Sequence, residues 1–438
     1  MAVSARALVD GFRAIVGEAH AVDGRAARER AALDGLVPAI VVSPGSTDET
    51  ASVMALAAAE KLAIVPRGGA TSLAQGFPPE RLDVVLDLSR LDRVIDYNAD
   101  DLTVSVEAGA TAGALAATLA LRAQQLALDP PGGAVRTLGG LVATNASGPL
   151  RARFGTLRDL LLGVRFVQPD GIVTWGGSKV VKSVTGYDIP KLMVGALGTL
   201  GVLTELTLRL HARPEAERTV VAALPGAAAA QEVVARVLDS PLQPTRLELL
   251  NGPALSAVGA AGASGLAISF GSVEAAVADQ EADVVALARR AGALTVEAAP
   301  AFWSAYDLIW RRQESDTLLV VGSMPGRLAD TVAAIAEAQA ALGGNARVLV
   351  GGSAVAGSLR VLVRGASAPA IAAFIERARA AVAGWDGTMM VQGAPTEVRT
   401  TIDPWGPVPD EAFALMRAIK TTFDPERRLN PGRFVGRL

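Results

Sequence analysis

Glycines grouped with small hydroxyl residues are the chemically most pointed feature of this sequence. Pro66-Arg67-Gly68-Gly69-Ala70-Thr71-Ser72-Leu73 follows directly on the apolar run 62–65. Successive glycines leave backbone N–H groups uncovered and able to curl into a concave nest, and Thr71 and Ser72 add hydroxyl donors, a set suited to a pyrophosphate. By itself this loop reads equally as a plain strand-to-helix connection. A second stretch runs through Asp129-Pro130-Pro131-Gly132-Gly133 to Thr137 and on to Pro149. Thr137 is placed to cap a short helix whose first turn carries Gly139 and Gly140, which would leave a bare positive end beside an anion. Beyond it Thr144, Asn145, Ser147 and Gly148 are small enough for a flat ring to approach the backbone. In the third, Gly195, Gly198, Thr199, Gly201 and Val202, the glycines are spaced three and three, after a helical stretch and before a strand. The dinucleotide fingerprint G-x-G-x-x-G has another spacing and opens a helix after a strand, so a nicotinamide site is disfavoured. The fourth, Leu429-Asn430-Pro431-Gly432-Arg433-Phe434, is a rigid segment with flanking aromatics and suggests a tail that docks.

Candidates for substrate contact are fewer. Trp303, Tyr306, Trp310, Arg311 and Arg312 cluster aromatics with paired cations, and an arginine there could clamp a carboxylate. The alternative, which the spacing favours, is a helix whose aromatics pack inward while the arginines face water. Tyr187 is a conceivable acid or stacking partner, and Lys179 and Lys182 could approach phosphates or be ordinary solvated lysines. His20 is expected to be exposed on the first helix, His211 to be a capping or surface residue, and Trp405 to pack a returning tail.

These residues need a scaffold, and 438 residues allow two or three domains. Lys+Arg 41 against Asp+Glu 44 gives a net charge of −3, which leaves no field to attract nucleic acid or an anionic membrane. The sequence has no cysteine, which excludes disulfides, a thiol nucleophile and an iron–sulfur cluster held by this chain. With 2 histidines a histidine-rich metal site is also out, and no metal is expected. Apolar stretches are broken before membrane-spanning length, and the first residues lack a basic region followed by an apolar core, so a soluble cytoplasmic protein is expected.

Residues 39–65 read as a βαβ unit, with Thr47 capping the helix 47–60 and Asp48 and Glu49 in its first turn. Strands are expected at 83–88 and 102–107, a helix at 111–122, a hairpin over 160–175 turning at Pro169-Asp170-Gly171, and a strand over 202–210. After Arg213-Pro214-Glu215, alanine-rich helices near 226–238, 273–291, 327–342 and 368–383 alternate with strands near 244–250, 264–270, 317–322, 346–350 and 359–363. That alternation predicts an α+β unit with helices on one face of a mostly antiparallel sheet. A helix at 409–422 precedes the tail.

The segments PRGGATSL, TLGGLVATNASGP, GYDIPKL with GALGTLGVLTEL, and FDPERRLNPGRF, in that order, resemble the FAD-linked oxidase family, whose flavin domain is of the vanillyl-alcohol-oxidase or PCMH type. NASGP with RARFGTLRDLLLGVRFV, and the ending IDPWGPVPDEAFALMRAIKTTFDP, are similar to the E-subunit branch of that family, the FAD-binding subunits of bacterial glycolate oxidases. The resemblance implies an α+β fold with a two-subdomain PCMH-type FAD domain and an α+β cap. Its division would be an N-terminal helical segment 1–36, an FAD domain 37–215, a cap 216–400 and a returning segment 401–438. Carried over, the FAD residues are Pro66, Arg67, Gly68, Gly69, Ala70, Thr71, Ser72, Leu73, Thr137, Gly140, Thr144, Asn145, Ser147, Gly148, Gly198, Thr199, Gly201, Val202 and Asn430. The catalytic candidates are Arg311, Arg312 and Tyr187.

Three departures from the family pattern bear on the chemistry. Ala70 stands where some members carry a histidine bonded to the flavin, so FAD should be non-covalent. Leu197 replaces a common Glu. Members that oxidise 2-hydroxy acids commonly carry H-x-G-D-G-N-x-H, and here the nearest segment is Gly351-Gly352-Ser353-Ala354-Val355-Ala356-Gly357. The expected reaction is hydride transfer from a small, glycolate-like 2-hydroxy acid to FAD, with electrons passed to a partner. The rival expectations are a flavin-bearing subunit that needs a second flavoprotein and an iron–sulfur subunit, and an independent oxidase or dehydrogenase of another alcohol.

Overall fold

Ile40–Val42, Ile64–Arg67 and Val84–Asp87 are short, apolar and largely buried, as strands of a covered parallel sheet must be. The computed structural model describes residues 5–179 and 186–438. Val84–Asp87 pairs in parallel with both of the other two strands, so the expected βαβ unit spans a gap that a later strand fills. The intervening helix Thr47–Ala59 is capped by Ser46, whose side chain accepts from the Glu49 N–H at 3.0 Å. Thr47 is thus not the cap: Ser46 is extended and Thr47 already helical. Helix Ala5–Val16 lays Phe12 and Val16 against Val53, Met54 and Ala57. It ends at Gly17, whose positive φ of 88° breaks the helix, and His20 lies beyond it in a half-buried 3-10 turn and not on the helix.

A second sheet of five antiparallel strands runs in the order Val94–Asn98, Thr103–Glu107, Val202–Arg209, Leu161–Val167, Val173–Gly177. Its last two form the expected hairpin, with Gly171 at φ 92° in the turn.

The third sheet has eight strands, every pair antiparallel, in the order Thr295–Ala298, Ala216–Leu224, Ser264–Ser272, Arg246–Asn251, Arg347–Ser353, Ser358–Arg364, Thr317–Gly322, Thr388–Gly393. Ala216–Leu224, Thr295–Ala298 and Thr388–Gly393 were not expected from the sequence. The alanines of the first and the two methionines of the last carry weak strand preference, and sheet neighbours decide them, on both sides for Ala216–Leu224 and on one side for the edge strand Thr388–Gly393. Helices Ala227–Leu238, Glu274–Arg290, Leu328–Ala338 and Ala368–Ala383 cover one face through Val233, Val234, Ile335, Phe374 and Ile375. The other face is half covered by the short helix Phe302–Ile309. Its remainder looks onto the glycine loops of the first two sheets.

The chain then returns. Helix Asp410–Phe423 leads to Leu429, which forms a parallel bridge with Ile64, the Ile64 N–H donating to Arg428 and the Asn430 N–H to Ile64. Arg399, buried, pairs with Asp34, and Arg246 reaches Asp129 at 2.8 Å, so both parts of the chain are tied across their junction.

Candidate active site

The loop after Ile64–Arg67 has an open donor set. None of the backbone N–H groups from Gly68 to Leu73 donates to any described residue, although the neighbouring Gln75 N–H is bonded to Ser72. Ala70 takes a positive φ of 58°, the turn that curls successive N–H groups toward one point. All of Pro66 to Leu73 line a small cavity shared with Thr137, Gly140, Thr144, Leu197, Asn430 and Arg433.

Thr137 caps helix Leu138–Ala143, its hydroxyl accepting from Gly140 at 3.3 Å. The helix end is not the bare anion site expected. The Leu138 and Gly139 N–H groups are bonded to Ala110 and Ala108 at 2.8 and 2.7 Å, and the Gly140 N–H is spent on Thr137. Gly139 is there because the strand end at Ala108 lies so close that a Cβ would stand 2.8 Å from its methyl.

Of the third segment, Gly198 and Gly201 line an adjoining small cavity behind Pro66 to Gly68. Thr199 and Val202 do not: both are buried, Thr199 bonding Ala196 and Val202 packing in the core that holds Phe12, Val53 and Ile64. The Asn430 amide donates to Leu197 and accepts from Arg433 at 3.2 Å, so it braces the wall.

From the loop the cleft opens into a cavity of about 360 Å³ between Thr71, Ser72, Arg136, Ser147, Arg312, Arg360 and Gln392. A second cavity of about 280 Å³ shares Ser147, Arg360 and Gln392 with it and adds Thr144, Asn145, Gly148, Arg151, Glu248, Ser353 and Ser358. Its floor is a cross-strand row, since Glu248 faces Ser353 and Ser353 faces Ser358, which puts the three side chains on one face. Arg151 donates to Ser147 and Ser358 at 3.3 and 3.0 Å, Arg360 donates to the Ser147 carbonyl, and Arg136 donates to Ser72 at 2.9 Å while its Nε has no partner. Burial and the nearby Arg360 pull the Arg136 guanidinium down to about 10. These cations have too few fixed anions around them, which favours an anionic ligand.

The catalytic candidates fare unevenly. Arg312 lines the larger cavity, held by the Glu314 and Asp316 carbonyls at 2.9 and 3.0 Å. Arg311 stands at the rim, mostly exposed and paired with Asp307. Tyr187 is 91% exposed and lines neither cavity, so it is not part of the site. Tyr187→Phe is expected to leave both flavin content and the rate of flavin reduction unchanged, checked by absorbance. Trp303 and Trp310 pack inward, as the packing alternative required, whereas Tyr306 reaches Glu248 from behind. Lys179 pairs with Asp96 at 2.7 Å, and Lys182 lies outside the described residues. His211 packs edge-on against Phe154 with its Nδ1 unpartnered. Trp405 holds the returning segment, its ring edge-on to Phe434 and its N–H on the Arg433 carbonyl at 3.3 Å. Sequence reasoning missed Arg136, Arg151, Glu248, Ser353 and Arg360.

Comparison with known proteins decides the family. The family described as FAD binding domain matches residues 38–177, and that described as FAD linked oxidases, C-terminal domain, matches 213–319 and 408–434. The chain carries both domains of the FAD-linked oxidases. A mitochondrial D-lactate dehydrogenase (cytochrome) of Arabidopsis thaliana is 35% identical over 230 residues, 52% of this chain and 40% of the relative. The D-2-hydroxyglutarate dehydrogenase of Xanthomonas citri pv. viticola is 28% identical over 429 residues, 90% of this chain and 89% of the relative. The chain spans about half the length of the first curated relatives it matches. A structure of p-cresol methylhydroxylase with substrate bound superposes with a TM-score of 0.77 at 16% identity, covering 98% of this chain and 96% of that one, which gives the PCMH-type fold.

FAD is the cofactor of the FAD-linked oxidases, and the residues of this chain fit one. The six free N–H groups suit a pyrophosphate, and Gly68 leaves the space a Cβ would fill, 2.2 Å from the Thr137 hydroxyl.

Proposed function

We propose that this chain is an FAD-dependent oxidoreductase acting on the CH–OH group of a small 2-hydroxy acid, with FAD held without a covalent bond. The observation that carries the reading is the cleft that runs from the free N–H loop into two adjoining cavities, one walled by Arg136 and Arg360 and the other by Arg151 and Arg360. Bound FAD supplies a two-electron acceptor. The chain's own residues do the rest. The N–H groups of Gly68 to Leu73 hold the pyrophosphate, with Ala70 and a cysteine-free sequence offering no covalent link at that loop. Arg360 and Arg151 hold the substrate carboxylate against Ser147, and the eight-stranded sheet walls the cavity on one side. Relatives named as dehydrogenases of D-lactate and D-2-hydroxyglutarate support the substrate class. We divide the chain into 1–36, 37–215, 216–400 and 401–438, drawing the 215/216 boundary from strand Ala216–Leu224, the first strand of the large sheet in chain order. Among the described residues no helix is long and apolar enough to cross a membrane. We assign the reaction to the cytoplasm, with any membrane contact made through partners that accept the electrons.

The test is an anaerobic absorbance scan of the purified chain before and after adding glycolate, D-lactate or D-2-hydroxyglutarate. Bleaching near the flavin maximum is expected. A yellow spectrum untouched by all of them would favour a second reading, a flavin-bearing subunit of a multi-subunit glycolate oxidase with a second flavoprotein and an iron–sulfur subunit. That reading draws on the Gly351–Gly357 segment, which has neither histidine nor acid. Arg360→Gln is expected to weaken binding of the effective hydroxy acid about 100-fold, on the order of 3 kcal/mol, with flavin stoichiometry unchanged.

A further inference from the structure

A carboxyl group buried in the cleft has half of its bonding capacity unused. Glu248 lies mid-strand in Arg246–Asn251, fully buried, and its Oε1 has no partner within the protein. Its Oε2 accepts from the Tyr306 hydroxyl, which arrives from helix Phe302–Ile309 on the side away from the loop. One strand over, the Ser353 hydroxyl is likewise buried and unpartnered, and both groups line the 280 Å³ cavity. Two orphaned polar atoms side by side in one cavity are costly unless a ligand completes them.

We propose that Glu248 is the catalytic base that takes the hydroxyl proton of the substrate, with Tyr306 the positioning residue that fixes its carboxylate and Ser353 a hydrogen-bond partner of the same substrate oxygen. This assignment rests on the oxidoreductase reading above. It supplies the base that the sequence lacks in histidine. The substrate O–H bond breaks with its proton going to Glu248 Oε1. The C–H hydrogen leaves with the bonding pair to FAD, the two-electron oxidant, and the electron pair left on oxygen forms the C=O of the keto acid. The proton then passes from Glu248 to solvent.

The charges around Glu248 set when it can act. Arg360 from strand Ser358–Arg364 and Arg151 from helix Arg151–Phe154 favour the carboxylate, as does the Tyr306 hydrogen bond, while Asp129 from its loop opposes it. Burial outweighs them and pushes the carboxyl up to about 7. A base must be ionised, so the rate should rise with pH through that value. Tyr306 donates to the ionised form, so removing its hydroxyl should move the break upward.

The experiment is anaerobic stopped-flow reduction of the holoprotein by the hydroxy acid that bleaches it, across pH, with Glu248→Gln and Tyr306→Phe. Glu248→Gln is expected to slow reduction about 1000-fold and flatten the profile, with affinity for the matching keto acid retained. Tyr306→Phe should keep the alkaline plateau and shift the break up. Infrared difference titration of the protein without substrate should show a protonated carboxyl band lost around pH 7 in the parent and absent in Glu248→Gln, a readout independent of turnover. A Glu248→Gln protein reduced as fast as the parent, with the same break, overturns the base and leaves the oxidoreductase reading intact. A parent protein bleached by no hydroxy acid overturns that reading, and the base falls with it.

Discussion

Gly68→Val is expected to give a folded protein that emerges colourless. A Cβ at residue 68 would stand 2.2 Å from Thr137 Oγ1, with the Thr137 Cβ and methyl at 3.1 and 3.2 Å. Of the threonine's two other staggered rotamers one turns its methyl into the space the hydroxyl leaves, and in the other the Thr137 Cβ still stands at 3.1 Å. The rotation also gives up the cap on helix Leu138–Ala143. The loop must therefore swing away from the helix, and the curl of N–H groups from Gly68 to Leu73 opens with it. The affinity for FAD should fall more than about 100-fold, since each tenfold needs only about 1.4 kcal/mol of displaced bonding. Gly69 is the milder position, its added Cβ meeting the Val135 carbonyl at 3.2 Å and the Thr137 N and methyl at 3.7 and 3.8 Å. The measurement is the flavin-to-protein ratio after desalting, followed by fluorescence titration. Full yellow stoichiometry in Gly68→Val would sink the nest assignment.

Asp424→Ala is expected to be the most destabilising single change among these. The Lys420 ammonium is 3% exposed and donates to Asp424 at 2.7 Å, to the Thr199 carbonyl at 2.8 Å and to the Leu429 carbonyl at 3.1 Å. Asp424, fully buried, also accepts from the Arg428 and Leu429 N–H groups at 3.0 and 2.8 Å. Removing the carboxylate leaves a buried cation and two amides without their acceptor, a loss of about 3–5 kcal/mol. Lys420→Met with Asp424→Asn should recover part of it, because no charge is then stranded. Urea unfolding followed by circular dichroism reads the loss. A shift of the Asp424→Ala midpoint worth under about 1 kcal/mol would show that solvent reaches the pair.

The sequence disclosed whatever is local. The loop 66–73 announces itself through adjacent glycines and hydroxyls after a strand, and the Thr137 cap through one residue and the turn that follows. What failed were inferences that needed a neighbour. The Leu138 and Gly139 N–H groups are consumed by residues 108 and 110, which no pattern within 137–149 contains. Thr199 and Val202 belong to a motif that lies along the cleft, yet pairing turns them into its backing. Tyr187 was a candidate for its chemistry alone and faces water. Glu248 comes from a strand far in the chain from the hairpin that carries Ser353 and Arg360, and only the register Glu248 to Ser353 to Ser358 brings them together. One signal was available: Glu248 is a lone charge within Leu247–Leu250, where a buried strand should carry none without purpose.

The parallel bridge between Ile64 and Leu429 also bears on how the holoprotein is made. The strand that presents the glycine loop has a covered inner edge, and its outer edge is closed by residues translated long after it. While the intervening eight-stranded sheet is being synthesised, that edge is bare and the Lys420 anchor does not yet exist. The Asn430 and Arg433 wall of the cradle is therefore the last part of it to be synthesised, after the region that will roof the cleft. A polypeptide stalled before residue 429 would hold a formed roof over an unfinished cradle.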